Sequence, residues 1–141
     1  MELEASKTAI QHLLEKWTTE GHPTSLHKSG GGNIHRLNSS DLAQAFEQGD
    51  KLAVKAVEHS AFYLGIAVAN LFNILSPDLF VLGGGVSESL GTAYLKLVEM
   101  AANEYVYTTE LAPIRIVLAA LGGDAGVIGA AIAVREARLN P

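Results

Sequence analysis

The sequence predicts an α/β domain, rich in helix and with few parallel strands. Three observations lead there. Apolar residues recur at three- and four-residue spacing over most of the chain, the periodicity of helices with a buried face. Two short, continuous apolar runs, residues 79–82 and 114–120, have the pattern of central strands covered on both faces. Each run passes through glycines into a further helical segment, and this alternation builds parallel sheets. At 141 residues the chain has room for one domain. Aromatics are only 6% of a composition that is 48% hydrophobic, so the core must be built from Ala, Leu, Val and Ile.

The first helix is expected over about residues 3–19, where Ile10, Leu13, Leu14 and Trp17 share a face and Gly21 with Pro23 stops it. Residues 21–38 have the composition of a flexible surface connection, with the run Ser29-Gly30-Gly31-Gly32-Asn33. His22, His27 and His35 lie there at spacings of five and eight residues, which match no helical or finger pattern and assign no metal. Ser39-Ser40-Asp41 is expected to cap a short helix over 42–48, ended by Gly49-Asp50. A long helix follows over 51–75. Its second half is nearly all apolar and carries Gly65, Ala67 and Ala69, which predicts burial all round and a neighbour at close range. Ser76-Pro77-Asp78 ends it, because Pro77 disfavours helix at Ser76.

After the first strand, a helix is expected over about 88–106, with Leu90, Tyr94, Leu95, Leu97, Val98 and Ala101 on its face. The second strand turns through Gly122-Gly123-Asp124 into a last helix over 125–138, whose Gly126, Gly129, Ala130 and Ala131 predict a close-packing face. Two strands make a poor sheet. Either helices dominate the fold or further strands lie outside this chain.

Composition also excludes. Ten Lys and Arg against fifteen Asp and Glu give a net charge of −5, which argues against nucleic acid or an anionic membrane bound through bulk charge. The chain has no cysteine, so disulfides and Cys-ligated zinc are excluded within it. Met1-Glu2-Leu3-Glu4-Ala5-Ser6 is acidic and lacks the basic, then apolar, run of a signal peptide, and the most apolar stretch, 61–75, is shorter than the roughly 20 residues a bilayer needs. A cytoplasmic protein is expected.

The strongest chemical signal is the first strand end, Gly83-Gly84-Gly85-Val86-Ser87. A strand that becomes a helix aims unpaired N–H groups at one spot, and three glycines let a flat ring or a phosphate reach the backbone. A helix start favours an anion by about 0.3–1 kcal/mol, and ligands of open α/β sheets sit at the carboxyl ends of strands. No Lys follows as in a P-loop, and Glu88 stands where GxGxxG needs its last glycine. A tight turn explains the triplet equally well. Gly122-Gly123-Asp124 repeats the arrangement, with Asp124 placed as an N-cap. Two adjacent mouths suggest one shared cleft.

Residues 77–87, Pro-Asp-Leu-Phe-Val-Leu-Gly-Gly-Gly-Val-Ser, followed by 121–131, Leu-Gly-Gly-Asp-Ala-Gly-Val-Ile-Gly-Ala-Ala, closely resemble the C-terminal part of ROK proteins, bacterial sugar kinases and sugar-responsive repressors. Gly49-Asp50, Ala53 and residues 63–71 resemble the family's long helix, and residues 2–6 the stretch after its cysteine cluster. The resemblance covers nearly the whole chain except about residues 21–38. It implies the C-terminal lobe of an actin-like (ribonuclease-H-like) ATPase fold over 1–141, with the adenosine-binding part at 76–138. It implies ATP as cofactor, with Mg in the parent protein. Gly83, Gly84, Gly85, Val86 and Ser87 carry over as nucleotide contacts, Gly122, Gly123 and Asp124 as part of the same wall, and Glu2 as a contact to sugar hydroxyls. A homodimer is implied too.

The family's phosphate loop, catalytic Asp and zinc ligands match nothing in these residues. The chain is therefore expected to be a C-terminal fragment, unable to phosphorylate sugar alone, of a glucokinase-like enzyme or of a repressor of the same fold.

Overall fold

The computed structural model describes residues 2–26, 34–107 and 114–139. The expected first helix is two, α1 (Glu2–Ala5) and α2 (Lys7–Thr19). Ser6 divides them: its backbone is extended and its hydroxyl accepts the Ala9 N–H at 3.1 Å, capping α2. Helix α3 (Ser39–Glu47) begins earlier than expected, because Asn38 is the cap. The Asn38 side chain accepts the Asp41 N–H at 2.8 Å, and the Asp41 carboxylate accepts the Asn38 N–H at 3.0 Å.

Asp50 then opens α4 (Lys51–Leu75) rather than only ending α3, accepting the N–H groups of Leu52 and Ala53 at 3.0 Å each. Its other oxygen accepts from the Ser25 N–H and hydroxyl and the Thr24 hydroxyl, at 2.6, 2.8 and 3.0 Å. Burial raises the Asp50 carboxyl, but these donors outweigh it and hold the group below its ordinary value. The described ends of the 21–38 segment are thus anchored, not loose: Leu26, Ile34 and Leu37 sit in the core, and Gln11 donates to the Leu37 carbonyl at 2.9 Å. Composition hid this, because three leucine-type anchors are outnumbered there by Gly, Ser and His.

Strands β1 (Phe80–Leu82) and β2 (Ile116–Leu118) pair in parallel, with Phe80 opposite Ile116 and Leu82 opposite Leu118. Between them α5 (Gly85–Tyr105) covers the sheet, interrupted at Gly91, whose φ of 57° and ψ of −137° are not helical. A 3₁₀ turn over Gly122–Asp124 leads directly into α6 (Ala125–Leu139).

The core centres on the crossing of α4 and α5, around Ala53, Ala56, Val57, Ala61, Val68, Val98 and Ala102. Gly65 makes the crossing close: a Cβ there would stand 2.8 Å from the Ala102 nitrogen and 2.8 Å from the Val98 oxygen. By length and composition α4 passes the test for a membrane span, but half of its most apolar stretch is buried within the chain, as in a core helix.

Two expectations of burial are not met. Leu71, Ile74 and Leu75 at the end of α4 are exposed, Ile74 to 77%. The described side chains of α6 are all exposed, and its main contact is the turn before it. Periodicity states which residues need a neighbour; it does not state that this chain supplies one.

Candidate functional site

Strand β1 delivers the chain to the glycine triplet at its carboxyl end. Gly84 has φ 104° and ψ 161°, a conformation open essentially to glycine alone, and it allows the strand to turn sharply into α5. As N-cap it offers no side-chain acceptor, so the first N–H groups of α5 are left for another partner. A cavity of about 370 Å³ opens here, lined by Gly83, Gly84, Gly85, Val86 and Ser87. A Cβ at Gly83 would meet the Ala119 Cβ at 3.4 Å, and one at Gly84 would meet nothing within 4 Å. The triplet therefore gives backbone that a planar group could approach.

Leu64 and Tyr94 form the inner wall. Tyr94 is 1% exposed, and its hydroxyl lies 2.7 Å from that of Ser60. Ser60 donates to the Ala5 carbonyl at 3.2 Å, which leaves the Tyr94 O–H to donate to Ser60. This chain of bonds ties α1 to α4 and α5. Burial pushes the Tyr94 phenol above its ordinary value, with the Ser60 bond offsetting part of the rise. Tyr94 is a neutral, fixed dipole at the cavity and not a base.

The second strand end is adjacent but separate. The Ala119 N–H donates to the Leu82 carbonyl at 2.7 Å, extending the strand pair beyond β2. Gly122, Gly123 and Asp124 do not line the cavity. Gly122 faces Glu88 in the first turn of α5, where a Cβ would stand 3.7 Å from the carboxylate. Asp124 does not cap α6: it closes the 3₁₀ turn, and its carboxylate accepts no hydrogen bond among the described residues. The helix enters straight from the turn, so no extended residue precedes it for capping.

Glu2 opens α1, but its side chain lies outside the described residues. The helix that carries it is held by Glu4, whose carboxylate lies 3.1 Å from His59 Nε2, and by the Ala5–Ser60 bond. His27 and the side chain of His35 lie outside the described residues too, and His22 is exposed. Among the described residues no group of three or more His, Asp or Glu is placed to hold a metal.

Three polar residues at the cavity were not candidates from sequence: Ser6, Lys7 and Ser39. Two of them begin helices α2 and α3. No local pattern flags the first two: the apolar spacing runs on through residue 6, and Ala9 stands where a capping box would need Glu or Gln.

Known proteins are similar to this chain in sequence and fold. The family model described as "ROK family" matches residues 1–137. A glucokinase of Halalkalibacterium halodurans is 35% identical over 136 residues, which is 96% of this chain and 41% of that one. A xylose repressor of Caldicellulosiruptor bescii is 25% identical over 89% of this chain and 31% of its own length. Among solved structures, a ROK family glucokinase from Streptomyces griseus in complex with glucose and AMPPNP superimposes with a TM-score of 0.81 at 29% identity, covering 96% of this chain and 44% of that one. The chain thus spans about two fifths of the glucokinases it matches. Its fold is that of ROK sugar kinases, an actin-like ATPase fold, and the chain belongs to the ROK family.

Proposed function

We propose that this chain is the adenosine-binding lobe of an ATP-dependent, glucokinase-like sugar kinase of the cytoplasm. The observation that carries the reading is the open cavity on the backbone of Gly83–Ser87, at the carboxyl end of a parallel strand. A helix start without a side-chain cap and the absent side chains of the glycines suit an adenine nucleotide, and the similar glucokinase was crystallised with AMPPNP and glucose. Gly122–Asp124 would border the same ligand only from beyond Glu88. Glu2 is assigned to sugar hydroxyls, which a carboxylate accepts in pairs. Transfer to sugar needs groups beyond these residues, and magnesium and zinc are assigned to no side chain here. The exposed apolar end of α4 and the exposed apolar residues along α6 support a homodimer.

Calorimetric titration of the folded chain with ADP tests this. Saturable binding, lost in Gly84→Val, is expected; absence of heat with intact fold contradicts it. A repressor lobe is the second reading, favoured by the xylose repressor match. For that reading, a sugar ligand and no ADP binding is the expected outcome.

A further inference from the structure

A second concavity lies on the exposed side of the α4–α5 pair and shares no lining residue with the cavity at the glycine triplet. It is a groove of about 270 Å³, lined by Glu58 and Phe62 of α4 and by Leu97, Met100, Ala101 and Glu104 of α5. The α5 residues recur at three- and four-residue spacing, so they form one stripe along that helix. Most of the lining is apolar, yet it is not covered: Met100 is 70% exposed and Phe62 37%.

The groove is held firmly. The Phe62 ring meets Tyr63 and Tyr105 edge to face, at centroid distances of 5.5 and 5.7 Å. Asn73 fixes the end of α5: its Nδ2 donates to the Tyr105 carbonyl at 3.3 Å, and its Oδ1 accepts the Tyr107 N–H at 3.0 Å. A surface already ordered loses little entropy when a partner docks. Aromatic rings and methionine are also the side chains that binding surfaces favour.

Charge identifies the partner. Glu58 and Glu104 are the charged residues of the groove; both are exposed, and neither forms an ion pair among the described residues. The chain as a whole adds a net charge of −5. A second copy seated face to face would bring two such acidic grooves together, which like charges oppose. A segment with apolar anchors and Lys or Arg beside them matches both the apolar lining and the carboxylates. A cleft between two helices accepts such a segment as an amphipathic helix.

We propose that the α4–α5 groove docks a basic amphipathic helix of another protein, with apolar side chains against Phe62, Leu97 and Met100 and cations at Glu58 and Glu104.

Fluorescence anisotropy of a labelled synthetic peptide tests this on the full 141-residue chain. The peptide is an amphipathic helix of about four turns, with leucine at three- and four-residue spacing and lysine elsewhere. A second peptide has glutamate at every lysine position. Saturable binding of the basic peptide alone is expected. The double variant Glu58→Gln, Glu104→Gln should weaken it roughly 10-fold, as two exposed ion pairs are lost. Met100→Ser should weaken it in the same direction. Glu20→Gln removes a carboxylate from the exposed end of α2 and should leave the affinity unchanged. Each substituted side chain is exposed, so folding is expected to survive. Equal binding of the two peptides, unchanged affinity in the double variant, a comparable loss in Glu20→Gln, or no binding by the wild type overturns the proposal. So does a dimer in sedimentation that Met100→Ser dissociates, which would give the groove to a second copy.

Discussion

The crossing of α4 and α5 and the strand end of β1 both depend on glycine, for opposite reasons. At Gly65 the backbone is ordinary helix and the space is full, with the Ala102 nitrogen and Val98 oxygen where a Cβ would go. At Gly84 the space is empty and the backbone is special, with φ at 104°. The first position serves packing, because two helices touch backbone to backbone. The second keeps a cavity open and gives the strand its turn. The same residue type thus marks a closed place and an open one among the described residues.

Substitutions can break that contrast. The largest effect is expected for Gly65→Val, which forces α4 and α5 apart along the centre of the core. It should cost about 3 kcal/mol or more, at the upper end for overpacking, read as a lowered urea midpoint. A loss under about 1 kcal/mol would mean the helices do not meet so closely. Gly84→Val should cost about 1–3 kcal/mol through backbone strain alone, with ligand binding lost out of proportion. Equal ligand loss in Gly65→Ala and Gly84→Val variants that remain folded would erase the distinction.

Asp50→Ala should cost about 1–2 kcal/mol, since a helix cap and the anchor of residues 24–25 go together. The Asp50 carboxyl is lowered in the fold. Its contribution is therefore fully present above the ordinary carboxylate value near pH 4 and disappears as the pH falls through the lowered folded value. Thermal melts between about pH 6 and pH 2 should show wild type and Asp50→Ala converging at the acid end. The smallest effect is expected for Tyr94→Phe, about 1 kcal/mol for the bond to Ser60, with the cavity otherwise unchanged. A tenfold change in ADP affinity in that variant would give the hydroxyl a direct role that its bond to Ser60 does not suggest.

Much of this was legible in the sequence, unevenly. The bounds of α4 follow from Asp50 at one end and Pro77 at the other, and Gly65 with its alanines announced a close neighbour. The parallel pair β1–β2 was readable from two apolar runs that each end in glycine. The break at Ser6 was not, because the apolar spacing continues through it and only the cap geometry reveals it. The burial expected of α6 failed for a different reason: its apolar residues need a partner surface, which local pattern cannot locate. Of the candidate site, the Gly83–Ser87 segment was visible because three consecutive glycines follow an apolar run directly. Lys7 and Ser39 were not, since they reach the cavity through the packing of α2 and α3, a tertiary fact with no local signature.

The central claim, that a nucleotide binds on the β1 strand end, is tested most directly by amide chemical shifts of the ¹⁵N-labelled chain during titration with ADP. The account predicts saturable shifts at Gly83–Ser87 and at Ser6 and Lys7, with α6 unaffected. Shifts confined to the exposed apolar residues of α6, or none at any position, would contradict it.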